Sequence, residues 1–287
     1  METETKAAIK ETMKEAEVVA EEVVRHPWVR SLSKLGFYTK GILFIVIGIS
    51  AVFLAAGLRG GRITDPIGAM AAIAEFSFGR VLLIVLVAGA IGHGLWNILR
   101  GFADVDDQGR GPIAIIQRSL SVGIGIFYFI LAATAMKIIL SERTTITNGE
   151  GEQLVTWVFL SIPLGALVVL IIAIGFFVAA GTECYNGVTG RFLKPYRSWQ
   201  LSPVVHKFVL TLGVVSFLTR AVLYVLIGYF FFLAANLNDP YQAEGIDGAL
   251  LALARSSYGG ILLFGSGFGL VCHGVLAFFE AKYRRIC

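Results

Sequence analysis

Residues 79–94 read GRVLLIVLVAGAIGHG, and residues 259–274 read GGILLFGSGFGLVCHG. Both stretches begin with glycine and end in Gly-x-x-x-His-Gly, and they lie 180 residues apart. The match continues to either side at the same offset without a gap. Further matched pairs are Lys40 with Arg220, Gly48 with Gly228, and Ala69 with Ala249. A repeat of apolar segments at a fixed period predicts a protein assembled from tandem structural units.

The composition places these units in a membrane. Hydrophobic residues make up 56% of the chain, charged residues only 15%, and the mean hydropathy is +0.76. A soluble domain carries about 25% charged residues, so the excess apolar surface requires lipid. The net charge is +4, but the basic residues lie mainly at the ends of apolar segments. The positive-inside rule explains this pattern, and no nucleic-acid partner is expected.

Six apolar segments each reach the ~20 residues that a spanning helix needs. They cover roughly 35–58, 79–103, 113–140, 154–182, 208–236 and 259–280. The predicted fold is therefore an all-α integral membrane protein with six transmembrane helices, arranged as three tandem helical hairpins in one orientation. A pseudo-threefold arrangement is compatible with this order.

The predicted domains are an N-terminal arm over 1–33 and hairpin repeats over 34–104, 105–190 and 191–287. Glu and Lys recur in the arm at helical spacing beside a weak apolar stripe, which indicates a cytoplasmic amphipathic helix; a solvated tail is the alternative. In the first and third repeats, residues 67–74 and 247–254 match as short interfacial helices. The second repeat is divergent. Its linker over 141–153 is shorter, Arg118 aligns with Lys40, and Ala179 takes the place of the histidine.

The distribution of Lys and Arg predicts the orientation. Most of them flank the loops and termini on one side of the six segments, which places both termini in the cytoplasm.

His93 and His273 are the strongest candidates for residues that bind a cofactor. They occupy equivalent positions beside small residues, which leave room for a flat macrocycle such as haem or chlorophyll to reach a ring nitrogen. Ionisable groups inside a membrane are costly and often functional. The alternative is a structural histidine that hydrogen-bonds a neighbouring helix and was copied by duplication.

Two further sets of residues are predicted to make contacts. Lys40, Arg118 and Arg220 begin equivalent helices as snorkelling anchors or lipid contacts, and Arg220 is a candidate to pair with Glu183. Glycines on the second and sixth segments predict close helix packing, within the chain or against a partner. These glycines are Gly89, Gly92, Gly94, Gly265 and Gly269.

Three stretches carry a family resemblance: 220–228 (RAVLYVLIG), 78–83 (FGRVLL) and 92–96 (GHGLW). With these the chain resembles bacterial membrane proteins built from tandem copies of an uncharacterised two-helix domain, domain of unknown function 1206. The resemblance covers roughly residues 34–283. It implies six spans in three units and a bacterial cytoplasmic membrane, and it implies no activity and no catalytic residues.

Enzyme motifs are missing from the sequence. It contains no P-loop, no HExxH and no GxSxG, and we expect a protein that is not an enzyme. The leading hypothesis is a structural or accessory membrane protein that packs with another membrane complex. The alternatives are a small-molecule transporter or channel, and a haem- or pigment-binding subunit that uses His93 and His273.

Overall fold

The computed structural model describes residues 26–103, 111–141, 150–194 and 202–283, and within these ranges it is helical without strands. Each unit follows a long–short–long pattern. The first contains α1 (Pro27–Ala55), α2 (Pro66–Ala74) and α3 (Gly79–Ala103). The second contains α4 (Pro112–Ser141), α5 (Glu150–Leu160) and α6 (Gly165–Thr189). The third contains α7 (Pro203–Leu237), α8 (Ile246–Ala254) and α9 (Gly259–Tyr283), and single 3₁₀ turns lie at Arg191–Leu193 and Pro240–Gln242.

All six long helices are long and apolar enough to cross a membrane. The predicted all-α fold with six spans is confirmed. The arm predicted over 1–33 falls mostly outside the described residues, and from Pro27 onwards the chain already belongs to α1.

Proline and short polar side chains start several of these helices. Pro27 and Pro203 occupy the first turns of α1 and α7, where a missing N–H costs nothing. Asp65 caps α2 by accepting a hydrogen bond from the Gly68 amide at 2.6 Å. At the other end of α7, Asn238 adopts φ 51° and stops the helix in the left-handed region.

The middle unit corrects one prediction from the sequence. The segment predicted to span over 154–182 is two helices, because α5 ends at Leu160 and α6 begins at Gly165. Pro163 and Leu164, which has φ 63°, form the break. A Cβ at Gly165 would collide with the carbonyl of Phe159, so the turn requires glycine. The middle linker therefore also carries a short helix.

The long helices form a closed ring. The most extensive contacts join different units: α3 with α4, α6 with α7, and α9 with α1. Within units, α1 packs on α3 and α7 on α9, whereas α4 and α6 barely touch. The last helix of each unit thus lies against the first helix of the next, and the third unit returns to the first. This order gives the pseudo-threefold ring.

The two ends of the ring differ. We call the end where α1 begins and α9 ends the terminal face, and the end that carries α2, α5 and α8 the linker face. Large apolar side chains fill the ring towards the linker face, among them Leu43, Ile47, Leu86, Leu131 and Leu223, each at most 1% exposed. Polar side chains concentrate in the half nearer the terminal face.

Candidate functional site

His93 and His273 lie inside the ring, each about 21 Å along its helix from the linker-face end at 1.5 Å per residue. Their exposures are 4% and 2%. Each ring makes an edge contact with an aromatic residue of the following unit: His93 with Tyr128, at 4.4 Å between centroids, and His273 with Phe44, at 4.6 Å. His273 also shares a hydrogen bond with Ser216, 2.9 Å from Nδ1 to Oγ. In the first unit, the residue equivalent to Ser216 is Gly36, which lies against the backbone of His93.

A macrocycle does not fit beside these histidines. The space that Gly92 and Gly94 were expected to leave is filled, because a Cβ at Gly92 would collide with Leu32 and one at Gly94 would press on Gly125 and Phe129. The small residues bring helices together and open no pocket. The packing therefore does not support the predicted haem or chlorophyll site.

Basic residues connect the units across the ring. Lys40 of α1 pairs with Glu280 of α9 at 3.3 Å, and Arg220 of α7 pairs with Glu183 of α6 at 2.5 Å. All four side chains are only 12–17% exposed. A buried pair costs several kcal/mol if one partner is removed, so both pairs hold neighbouring units together.

Arg118 connects the remaining two units differently. Its guanidinium donates to the carbonyls of Gly101 and Phe102 at 2.7 Å and 2.5 Å. These carbonyls lie in the last turn of α3, where a helix ends with unpaired oxygens and negative partial charge. Within the described part of the chain, no carboxylate takes part in this contact.

The ion pairs form one polar cluster with the histidines. The charged groups that act on Glu183 are, in order of strength, Arg220, Lys40, Glu280 and Arg100. Arg220, Lys40 and His93 in turn act on His273. Among the described residues, this axial cluster holds three cations (Lys40, Arg100 and Arg220) and two carboxylates (Glu183 and Glu280).

Glycine pairs fix the register of the helices around this cluster. Gly41 lies against the carbonyl of Gly274, and in the same way Gly125 lies against that of Gly94. Because Gly94 and Gly274 are equivalent, Gly125 is the counterpart of Gly41. Arg118 is then shifted by six residues from the alignment with Lys40 that the sequence suggested, and Ile124 takes the Lys40 position. The slide of α4 explains why Arg118 reaches the end of α3.

The same register shows why the middle hairpin is open. In the first unit, the side chain of Thr39 occupies the space where a Cβ of Gly89 would be; we call such a space a glycine notch. In the third unit, Thr219 fills the notch at Gly269 in the same way. In the middle unit the threonine position is Gly123, whereas Gly175 keeps the notch. Among the described residues, no atom lies within 4 Å of where a Cβ of Gly123 would be, and only Leu120 approaches a Cβ at Gly175, at 3.6 Å. We call the strip formed by Leu120, Gly123, Gly175 and Ala179 the middle seam.

Gly265, the remaining glycine that was predicted to pack against another helix, does not do so within the described part of the chain. Gly265 lies at the outer surface of α9, where a Cβ would meet no atom within 4 Å. On this part of α9 it is Gly267 that approaches another helix closely, against Gly48 of α1. A contact of Gly265 with a partner stays a prediction.

Carboxylates from all three units meet near the linker face. Glu152 of α5 and Asp247 of α8 both approach Gly245. Burial, together with the negative charges of Asp247 and Asp65, raises the pKa of Glu152 to about 7. Burial likewise raises the pKa of Asp65 and of Asp247. Among the described residues, no group of His, Cys, Asp and Glu could hold a metal ion.

Sequence reasoning missed Ser216, Gly123 and the linker-face carboxylates. The repeat could have drawn attention to Ser216, because this residue lies 180 positions after Gly36 and is a polar residue where the first unit has glycine. Gly123 needed the corrected register of α4. The linkers of the first and third units align, but their carboxylates do not: Asp65 corresponds to Gly245, and Asp247 corresponds to Ile67.

Comparisons with known proteins agree with this organisation. The profile of the family described as Domain of Unknown Function (DUF1206) matches residues 35–104 and 215–284, which are the first and third units. The chain is also 28% identical, over 91% of its length and 93% of the relative's, to an uncharacterized protein of Bacillus subtilis (strain 168), YxxB. No solved structure matches the chain. The family model therefore recognises two copies of the DUF1206 domain in this chain, on either side of a middle unit that it does not match.

Proposed function

We propose that this protein is a non-enzymatic accessory subunit of a complex in the bacterial cytoplasmic membrane, with both termini in the cytoplasm. The middle seam is the observation that carries the proposal. Two of the three hairpins close with a threonine in a glycine notch, and the third has glycine at both positions.

The seam suits one transmembrane helix of another protein. Gly123, Gly175 and Ala179 are small, and small residues allow helix backbones to approach closely in lipid, where dispersion contacts drive association. The neighbouring exposed side chains of α4 and α6 are apolar, for example Ile124 and Ile174. The occupant that matches this chemistry is therefore an apolar helix with small residues of its own.

Co-purification with blocked seams tests the proposal. Gly123→Phe fills the seam, while Gly260→Phe adds the same bulk on α9, where a Cβ at Gly260 also meets no atom within 4 Å. We expect one defined membrane protein to co-purify in constant ratio with the wild-type chain and with Gly260→Phe, and to be lost from Gly123→Phe. A constant partner that survives Gly123→Phe, or a seam that holds only lipid or a second copy of the chain, would contradict the proposal.

The buried axial cluster favours a second candidate, a small-molecule transporter or channel. Charged groups inside membrane proteins often mark solute or ion pathways. Apolar side chains fill the ring towards the linker face. A solute could therefore cross only if the protein adopted a second conformation. Liposomes containing the protein test this candidate by solute flux, and the absence of flux in every solute class would refute it.

A further inference from the structure

The short helix α5 is supported differently from its counterparts in the other two units. In the first unit α2 packs on α1, α3 and α4, and in the third unit α8 packs on α7 and α9. The main contacts of α5 are with α6, which follows it in the chain, and with the 3₁₀ turn at Pro240–Gln242. The link to α6 is the break at Leu164, where φ is 63°. Such a break can act as a hinge, because a change in a few backbone angles moves the whole helix.

One face of α5 is turned towards the ring and carries two polar residues. Glu152 and Thr156 are four residues apart and therefore share this face. Thr156 is 1% exposed, and its hydroxyl has no hydrogen-bond partner among the described residues. Phe159 and Leu160, on the next turn, pack against the hydrophobic core of the ring. The helix thus covers part of the linker face with side chains that a pivot at Leu164 would expose.

Glu152 faces carboxylates of both other units. Its Oε1 atom lies against Gly245, and Oδ1 of Asp247 lies 3.4 Å from the position that a Cβ of Gly245 would take. This oxygen of Asp247 is buried and accepts no hydrogen bond from the part of the chain that the structure describes. Asp65 of the first unit also acts on Glu152. The seat of α5 therefore brings like charges together.

Other charged groups near α5 act elsewhere. Asp239 caps the 3₁₀ turn, and Arg255 at the end of α8 acts on Glu244. The half of α6 that follows α5 contains no ionisable residue. Within the described ranges, both charged groups that act on Glu152 are carboxylates. A proton on Glu152 relieves this repulsion and supplies a donor for Asp247.

We propose that α5 is a lid on the linker face, which a proton on Glu152 holds closed and which opens when this carboxyl ionises. In the closed state the carboxyl donates to Asp247. When Glu152 is ionised, Asp247 and Asp65 repel it, and α5 pivots at Leu164 until the carboxylate reaches water.

The direction of the pH dependence follows from burial. The pKa of Glu152 is about 7 in the closed state, whereas an exposed glutamate has its ordinary value of 4.5. Because the closed state has the higher pKa, the proton stabilises it fully below pH 4.5, and this effect is lost as the pH rises towards about 7. The lid is therefore closed in acid and opens increasingly around neutral pH.

Maleimide labelling of cysteines tests the lid in the full-length chain with Cys184 and Cys287 changed to serine. Thr156→Cys reports opening of α5. Ser161→Cys lies at an exposed position just after α5 and reports how fast an accessible thiol reacts at each pH. The native Cys272, 3% exposed inside the ring, reports unfolding of the ring itself. We expect the labelling rate of Thr156→Cys relative to Ser161→Cys to rise at least about tenfold from pH 5.5 to pH 8, while Cys272 stays unlabelled.

Glu152→Gln identifies the titrating group. Its amide is a donor for Asp247 at every pH, so the relative labelling of Thr156→Cys should stay low at both pH values in this background. The proposal is overturned by a relative rate that does not change with pH, by an increase that Glu152→Gln leaves unaltered, or by labelling of Cys272 in step with Thr156→Cys.

Hydrogen exchange of the unmodified protein gives a second measurement that needs no cysteine variant. An isolated helix of 11 residues is marginally stable, so α5 should fray once it leaves its seat. After correction for the intrinsic rate, we expect its amides to exchange at least about tenfold faster at pH 8 than at pH 5.5, and those of α3 to change little. The same pH dependence in α5 and α3 would refute the lid.

Discussion

Glu152 makes the stability of this protein depend on pH near neutrality. Its carboxyl is largely buried between the units at the linker face, beside Asp247 and Asp65, and no cation of the described residues acts on it. Glu152 has an ordinary pKa of 4.5, and burial raises it to about 7 in the folded protein. The folded state therefore holds this proton more tightly than the unfolded chain does.

The sign and size follow from linkage. Because the folded pKa is the higher one, the stabilising effect of the proton is complete below pH 4.5 and is lost as the pH rises towards about 7. A difference of about 2.5 pKa units at ~1.4 kcal/mol per unit gives a free energy of unfolding about 3 kcal/mol lower at pH 8 than at pH 4.5. Asp65 and Asp247 act in the same direction, since burial raises the pKa of each.

Glu152→Gln isolates the effect, because the amide keeps the shape and cannot ionise. Thermal unfolding of the detergent-purified proteins, measured from pH 5 to pH 8 at constant ionic strength, compares the variant with the wild type. We expect the wild type to lose several degrees of Tm over this range, and Glu152→Gln to lose much less and to exceed the wild type at pH 8. Glu75→Gln, at an exposed carboxylate in the first linker, is the control and should follow the wild type. Equal pH dependence in Glu152→Gln and the wild type would refute the reasoning.

Three comparisons of variants substituted in the spans test the packing. Arg220→Met leaves the Glu183 carboxylate buried without its partner and should cost about 3–5 kcal/mol of stability; recovery in a double variant with Glu183→Gln is expected in thermal unfolding, and a double variant no more stable than the single one would contradict the ion pair. Gly269→Val removes the notch for Thr219 and should destabilise by roughly 1–3 kcal/mol, whereas Gly175→Val, with only Leu120 nearby, should change Tm little; equal losses would argue against an open middle hairpin. Gly48→Val places a methyl-bearing carbon against the Gly267 carbonyl and should lower Tm by at least as much as Gly269→Val, and an unchanged Tm would contradict the close contact of α1 with α9.

The repeat and the spans could be predicted from sequence because they depend on local properties. Apolar length predicts each spanning helix, and the offset between His93 and His273 shows the duplication directly. The pairing of Arg220 with Glu183 was also within reach, because the apolar residues 208–219 before Arg220 indicate that it lies inside the span. The closing contact of α9 with α1 was not, because an order of three hairpins is equally compatible with an open row.

The errors share a physical cause in the middle unit. Residues 154–164 are mostly apolar and uncharged, so composition alone does not reveal the interfacial helix before Gly165. The alignment of Arg118 with Lys40 was wrong because a basic residue near the start of an apolar segment is compatible with several registers. The register of α4 against α3 is defined by the glycine contacts between the two helices. This register also places Gly123 at an exposed position.

Disulfide formation between equivalent positions tests the central claim, that the middle hairpin is open while the other two are closed. In a chain without its native cysteines, the double variants Thr39→Cys/Gly89→Cys and Gly123→Cys/Gly175→Cys place thiols at matched sites of two units. A disulfide needs Cβ atoms about 3.5–4.5 Å apart. A Cβ at Gly89 would lie 2.9 Å from the Cβ of Thr39, whereas no atom of Gly175 lies within 4 Å of where a Cβ of Gly123 would be. Oxidation in native membranes should therefore cross-link the first pair and leave the second reduced. Equal cross-linking of both pairs would contradict the account.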